Sequence, residues 1–334
     1  MNRIIGLFSL LTLLVAAAPG RAAEYVITMA SVAPDGSLWM EEMKKMDSLV
    51  RSATGGEVRF EFYPGSIAGD DKTVVKKIQS GQLVAAGLTG VGLGEIVPAF
   101  RVMELPFTYR SYDEVDFVLR KLSKWFSTRF EEKGFVVLGF ADQGFVYLLS
   151  KNPITKTADM KTAKPWVWDV DRLAAAAFKA FGINAIPLSL ENVTTALDTG
   201  KIDTVYISPV AGIALQWYRK TGYLVDFPLT DGAGALVISK KFFDALPEKH
   251  RAAVVTVCRE TSKNLRSKTR ADNDAALKLL KAKGTKFVSP APEELQNFLL
   301  VGDKAAASLV GELYSQALLD KVRALLAEYR TAKK

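Results

Sequence analysis

The stretch from Pro247 to Lys283 constrains the fold most: it holds no internal proline or glycine. Pro247 suits a first helical turn, where its missing N–H costs nothing. At about 1.5 Å per residue an unbroken helix here would span about 55 Å. That exceeds one small domain, so the stretch predicts a brace across two.

The rest of the chain supplies material for both. Tyr25 to Met29 alternates like a strand, and Ser37 to Ala53 carries apolar residues at helical spacing before Gly55-Gly56. Glu57 to Tyr63 reads as a half-buried strand, Asp70-Asp71 as the cap of a helix through Gln79, and Leu83 to Leu88 as a buried strand. Ser111 to Lys133 is a helix, followed by strands at Phe135–Phe140 and Phe145–Leu149. A second alternation runs through Lys164–Trp168 (strand), Asp171–Phe181 (helix), Leu190–Thr199 (helix), Ile202–Tyr206 (strand), Pro209–Lys220 (helix), Tyr223–Phe227 (strand) and Leu236–Ser239 (strand). Beyond the long helix come a strand at Thr285–Val288 and helices through Pro292–Arg330. Strand–helix–strand repetition argues for two α/β layers on largely parallel sheets, joined by extended segments near 140–150 and 228–236.

The first 23 residues read as a cleavable export signal. Arg3 precedes an apolar run from Ile4 to Ala18, and small residues flank Arg21. The run is short for a membrane span, so cleavage after Ala22 or Ala23 is expected. Removal lowers the formal charge from +8 to +6. The basic residues are spread along helices, which reads as a solvated surface, with mild attraction to an anionic membrane or an acidic solute as the alternative; the export signal argues against nucleic-acid binding. The single cysteine, Cys258, excludes an intrachain disulfide and reads as packing. The single histidine, His250, is expected to be solvated at a helix start, and it leaves neither a zinc cluster nor a histidine triad.

Two motifs tempt and fail. Gly87 to Gly94 has the spacing G-x-G-x-G without a following Gly-Lys-Ser/Thr, so it reads as a flexible loop at a strand end and not a phosphate cradle. The carboxylate pairs 70–71, 131–132 and 293–294 sit at helix ends, which explains them without catalysis. Trp166 and Trp168 are two apart on a strand and share one face. Two readings stand for them: lining a cavity, or packing a core.

Six blocks in order carry a resemblance. They are Ala30-Ser31-Val32-Ala33-Pro34, Tyr63-Pro64-Gly65-Ser66-Ile67-Ala68-Gly69-Asp70-Asp71, Ile78-Gln79-Ser80-Gly81, Glu104-Leu105-Pro106-Phe107, Asp159 to Val167, and Ala196-Leu197-Asp198-Thr199-Gly200-Lys201-Ile202-Asp203. From Glu24 to Arg330 the chain resembles the extracytoplasmic solute receptors of tripartite ATP-independent periplasmic (TRAP) transporters, of the C4-dicarboxylate-receptor-like class. The resemblance implies an α/β, two-domain periplasmic-binding-protein-like fold with a ligand cleft and a long domain-spanning helix. Residues 24–145 and 230–265 would form the first domain, and 146–229 and 266–334 the second. It implies a periplasmic protein that is not an enzyme and needs no cofactor or metal. Its partners would be a small solute and the permease subunits of an ion-gradient-driven transporter.

The departures from the family pattern matter most. The arginine that forks onto a solute carboxylate falls on Trp166, a second less regular one falls near Val146, and the solute-binding asparagine falls on Ile207. A guanidinium offers paired charge-assisted bonds where an indole offers one neutral N–H. A carboxylate buried without a partner costs several kcal/mol, whereas burying a large apolar contact gains roughly 2–3 kcal/mol. The expected solute is therefore uncharged or largely apolar. Trp166, Trp168, Tyr206 and Ile207 would hold it, with Val146, Phe145, Tyr147, Trp39 and Thr89 as further candidates. Two alternatives stand beside this. An organic acid could be held by Lys164, Arg172 or Arg101 instead, or the tryptophans could plug the cleft of an exported sensor or interaction protein.

Overall fold

The computed structural model describes residues 25–333; the export-signal reading of residues 1–23 lies outside them. The first layer is built on Tyr25–Ser31 (β1), Val58–Tyr63 (β2) and Ala85–Thr89 (β3). Leu38–Ala53 (α1) and Asp71–Gln79 (α2) connect them, so β1 lies parallel to both neighbours. Ser37 and Asp70 cap these helices by accepting the backbone N–H of Met40 and Thr73.

The glycine-rich stretch is not the flexible loop expected. Gly90–Ile96 is a helix (α3) capped by the Thr89 side chain. A Cβ on Gly90 would meet the Glu104 carboxylate at 2.0 Å, and one on Gly92 would meet Asp71 at 2.8 Å. The glycines let a helix backbone lie against buried carboxylates, and this packing overrides their poor helix propensity. A 3-10 turn at Pro98–Glu104 and the helix Tyr112–Glu132 (α4) follow.

Phe135–Ser150 (β4) is one strand and not two. The second layer then follows in chain order: Trp166–Trp168 (β5), Arg172–Ala180 (α5), Ile186–Leu188 (β6), Val193–Asp198 (α6), Thr204–Ile207 (β7), Pro209–Ala214 (α7), Tyr218–Thr221 (α8) and Tyr223–Val225 (β8). Thr230–Ser239 (β9), Lys240–Ala245 (α9), Glu248–Ala282 (α10), Lys286–Val288 (β10), Pro292–Ser308 (α11) and Gln316–Ala332 (α12) complete the fold. The main sheet runs β10-β8-β4-β9-β3-β1-β2, with β7 also on β4. The first part of β4 pairs antiparallel with β9, and its last residues pair with β7 and β8. One strand thus serves both layers, with bulges at 137/139 and 142/145 between them. A bridge from Pro165 to Thr204 sets the small β5–β6 sheet beside β7.

The single helix expected over 209–220 is interrupted. Gln216 adopts a positive φ of 57°, which turns the chain so that Trp217 is fully buried and its indole N–H donates to Thr194. The long helix is real: α10 packs on α1 and β4 toward one end and on α7 toward the other. Val254, Cys258 and Leu265 join the first-layer core, and Leu280 joins Trp217 in the second. His250 is buried and not solvated. Its Nε2 lies 2.8 Å from the Glu57 carboxylate, tying the start of α10 to the first sheet. The last two helices part company. α11 packs on α5, whereas α12 packs on α4 and the 3-10 turn, in the layer opposite to the one expected for residues 266–334.

Candidate functional site

The site forms where the two layers face each other, and a buried guanidinium centres it. Arg101 comes from the 3-10 turn of the first layer and is 6 % exposed. Its Nη2 donates to Asp171 Oδ1 at 2.6 Å, across to the start of α5 in the second layer. Its Nη1 lies 3.1 Å from Glu104 Oε2, within ion-pair reach though without hydrogen-bond alignment. Glu104 Oε1 instead accepts the backbone N–H of Ala233 at 2.9 Å. Burial pushes the Glu104 carboxyl up to about 7, opposed by the Arg101 charge. Asp71, beneath α3, is raised to about 6 by burial, while the Thr89 hydroxyl and backbone N–H hold its carboxylate.

Asp171 is held from several sides. It caps α5 by accepting the Ala174 N–H at 3.2 Å. Its Oδ2 accepts the Tyr206 hydroxyl at 3.2 Å, and the same hydroxyl accepts the Trp168 backbone N–H at 3.2 Å. Burial first, then the Asp171 charge, raise the Tyr206 phenol well above its ordinary range, so it stays a donor. Beside this cluster lies a cavity of about 130 Å³. Arg101, Arg172 and Glu95 line it, with the apolar Val91, Pro98, Val170, Leu173 and Leu313.

Trp166 stands behind this cluster and not in the cavity. It is 3 % exposed, its ring stacks on Tyr206 at 5.0 Å and meets Trp217 edge-on at 5.5 Å, and Val193, Leu197 and Leu280 share its core. Its indole N–H donates to the Leu188 carbonyl at 2.9 Å. Of the two readings for this residue, the geometry favours core packing. Trp168 shares that face and is half-buried, while Val167 points into the other core, as strand alternation requires.

Ile207 and Tyr147 face each other across β7 and β4, both half-buried. Val146 pairs with Thr230 on β9. Phe145 is 6 % exposed, stacks on Tyr112 at 4.5 Å and belongs to the first-layer core. Thr89 works as a cap and as a partner of Asp71, and Trp39 lies against Gly87. Tyr206 is therefore the predicted residue whose side chain reaches the Arg101 cluster, and Trp168 touches it through its backbone N–H. Of the alternative cations, Lys164 is exposed and Arg172 faces Glu312 at 3.5 Å, so Arg101 alone of the three is buried. Asp171 and Glu104 were not anticipated as site residues. Asp171 was legible only as a helix start.

Among the described residues no group of histidine, cysteine and carboxylates could hold a metal ion, and no helix is long and apolar enough to cross a membrane.

Comparison with known proteins bears on the family and the fold. The C4-dicarboxylate-binding periplasmic protein DctP of Rhodobacter capsulatus is 26 % identical over 275 residues, 80 % of each chain. The 2,3-diketo-L-gulonate-binding periplasmic protein YiaO of Escherichia coli is 25 % identical over 252 residues, 74 % of this chain and 75 % of that one. A TRAP periplasmic solute-binding protein from Ochrobactrum anthropi, solved with its C-terminus bound in the ligand-binding pocket, superposes with a TM-score of 0.83. It is 25 % identical, over 93 % of this chain and 97 % of that one. The profile of the DctP family matches residues 29–312. With two α/β layers, a shared crossing strand and a buried polar cluster between them, the chain belongs to the DctP family, the bacterial extracellular solute-binding proteins of family 7.

Proposed function

We propose that this chain is the periplasmic receptor of a TRAP-type transporter, that it closes its two lobes around a small uncharged solute beside Arg101, and that it hands the closed complex to a membrane permease. We place the lobe boundary in β4 and β9, the two strands that cross between the layers, with α12 in the first lobe.

One observation carries the solute class: the buried guanidinium already has carboxylates of its own. Asp171 binds Arg101 directly and Glu104 stands within ion-pair distance. A solute carboxylate arriving there would join a cluster with no surplus positive charge, and burying an uncompensated anion costs several kcal/mol. The other donor at the family's cation position, the Trp166 indole, is committed to Leu188. The relatives named above are named for binding C4-dicarboxylates and diketo-gulonate, which are acids; this chain has Trp166 where the family pattern places an arginine.

Mass spectrometry of small molecules released from gently purified protein tests the reading. A neutral molecule at near-stoichiometric yield is expected. A dicarboxylate or sugar acid at that yield would refute it. The burial of Arg101 favours a second reading, in which an organic acid displaces Asp171 and takes the guanidinium.

A further inference from the structure

Asp171 is bound as a ligand is bound. Its two oxygens accept from a guanidinium, a phenol and a helix N-terminal amide, namely Arg101 at 2.6 Å, Tyr206 at 3.2 Å and the Ala174 N–H at 3.2 Å. The capping role explains the bond to Ala174 and nothing more. It does not explain why Arg101, 70 residues earlier, and Tyr206, 35 residues later, converge on the same carboxylate. Those donors make a seat of the kind that holds a free carboxylate: a charged fork, a neutral O–H and an amide at the positive end of a nine-residue helix.

We infer that Asp171 is an internal occupant of a carboxylate seat, a specificity-determining residue that keeps anionic solutes out of the cleft. This rests on the uncharged-solute reading and names its determinant. A tethered carboxylate competes at an effective concentration of roughly millimolar or above, with no translational entropy left to lose. A free acid of the same chemistry must therefore outcompete it on contacts elsewhere in the cleft.

Removing the side chain should vacate the seat. Asp171→Ser and Asp171→Gly both leave a residue type that caps helices; the first replaces the carboxylate by a hydroxyl, and the second deletes the whole carboxymethyl group, whose free counterpart is acetate. Titration calorimetry and thermal unfolding with acetate and with acetamide provide the readout. Both variants should bind acetate about tenfold or more tighter than acetamide, wild-type protein should bind neither, and the preference should vanish in Arg101→Gln/Asp171→Ser. A variant that folds only in acetate, and not in acetamide, is an equally good result. Equal response to acetate and acetamide, acetate binding that persists without Arg101, or failure to fold in either medium would overturn the inference. An organic acid recovered from wild-type protein would sink the uncharged-solute reading by itself, whereas the acetate titration judges Asp171 alone.

Discussion

Glu104 shows how a single carboxyl can set a pH dependence opposite to the common one. Its folded-state value is about 7 against an ordinary 4.5, because burial penalises the anion more than Arg101 rewards it. Between those two values the folded chain holds a proton that the unfolded chain has released. Stability contributed by this group is therefore full below 4.5 and falls as pH rises through 7, at up to about 1.4 kcal/mol per pH unit. Asp71 acts in the same direction between 3.8 and about 6. Urea unfolding of wild type and Glu104→Gln between pH 4.5 and 8 should show the wild type losing about 1–3 kcal/mol relative to the variant across that window. Parallel curves would show that Glu104 titrates normally. Trp166 poses the converse case. Trp166→Arg puts a cation among Val193, Leu197 and Leu280 and removes the bond to Leu188. A loss of about 3–5 kcal/mol is expected in chemical denaturation, with no gain of carboxylate binding. A stable variant that binds succinate would place position 166 at the cleft instead.

At the scale of elements, much of the fold was legible because local rules and tertiary packing agree. The caps Ser37, Asp70, Ser111 and Asp171 all begin helices where capping chemistry predicts them. The misses have physical causes. β9 begins at Thr230 although Asp231, Gly232 and Gly234 all disfavour strand; it is held by pairing with β4 on one side and β3 on the other. α3 forms through glycines that only its close approach to Glu104 and Asp71 explains. The shared face of Trp166 and Trp168 could be read from strand alternation. Arg101 and Asp171 could not be paired from sequence, since each alone has an ordinary explanation and the contact between them is made only by the assembled layers.

At the scale of the whole molecule, β4 and α10 both make contacts in the two layers. β4 carries its second bulge at 142/145, where Asn273 of α10 donates to the Gln143 carbonyl and accepts the Val210 N–H. One side chain thus ties the crossing strand to the first residues of α7. α10 runs for 35 residues without a proline or glycine. Its length gives solution studies an internal yardstick. Dyes on cysteines placed at the exposed positions 249 and 281 should stand about 48 Å apart whether or not solute is present, and the buried native thiol Cys258 leaves the labelling clean. A second pair at exposed positions 124 on α4 and 179 on α5 should draw together on solute capture, in single-molecule energy transfer on stripped and solute-loaded protein. If the helical pair shortened instead, the rod would be bending and the lobes would not be turning as units. A protein whose spine keeps its length can report the motion of its jaws against a scale it carries itself.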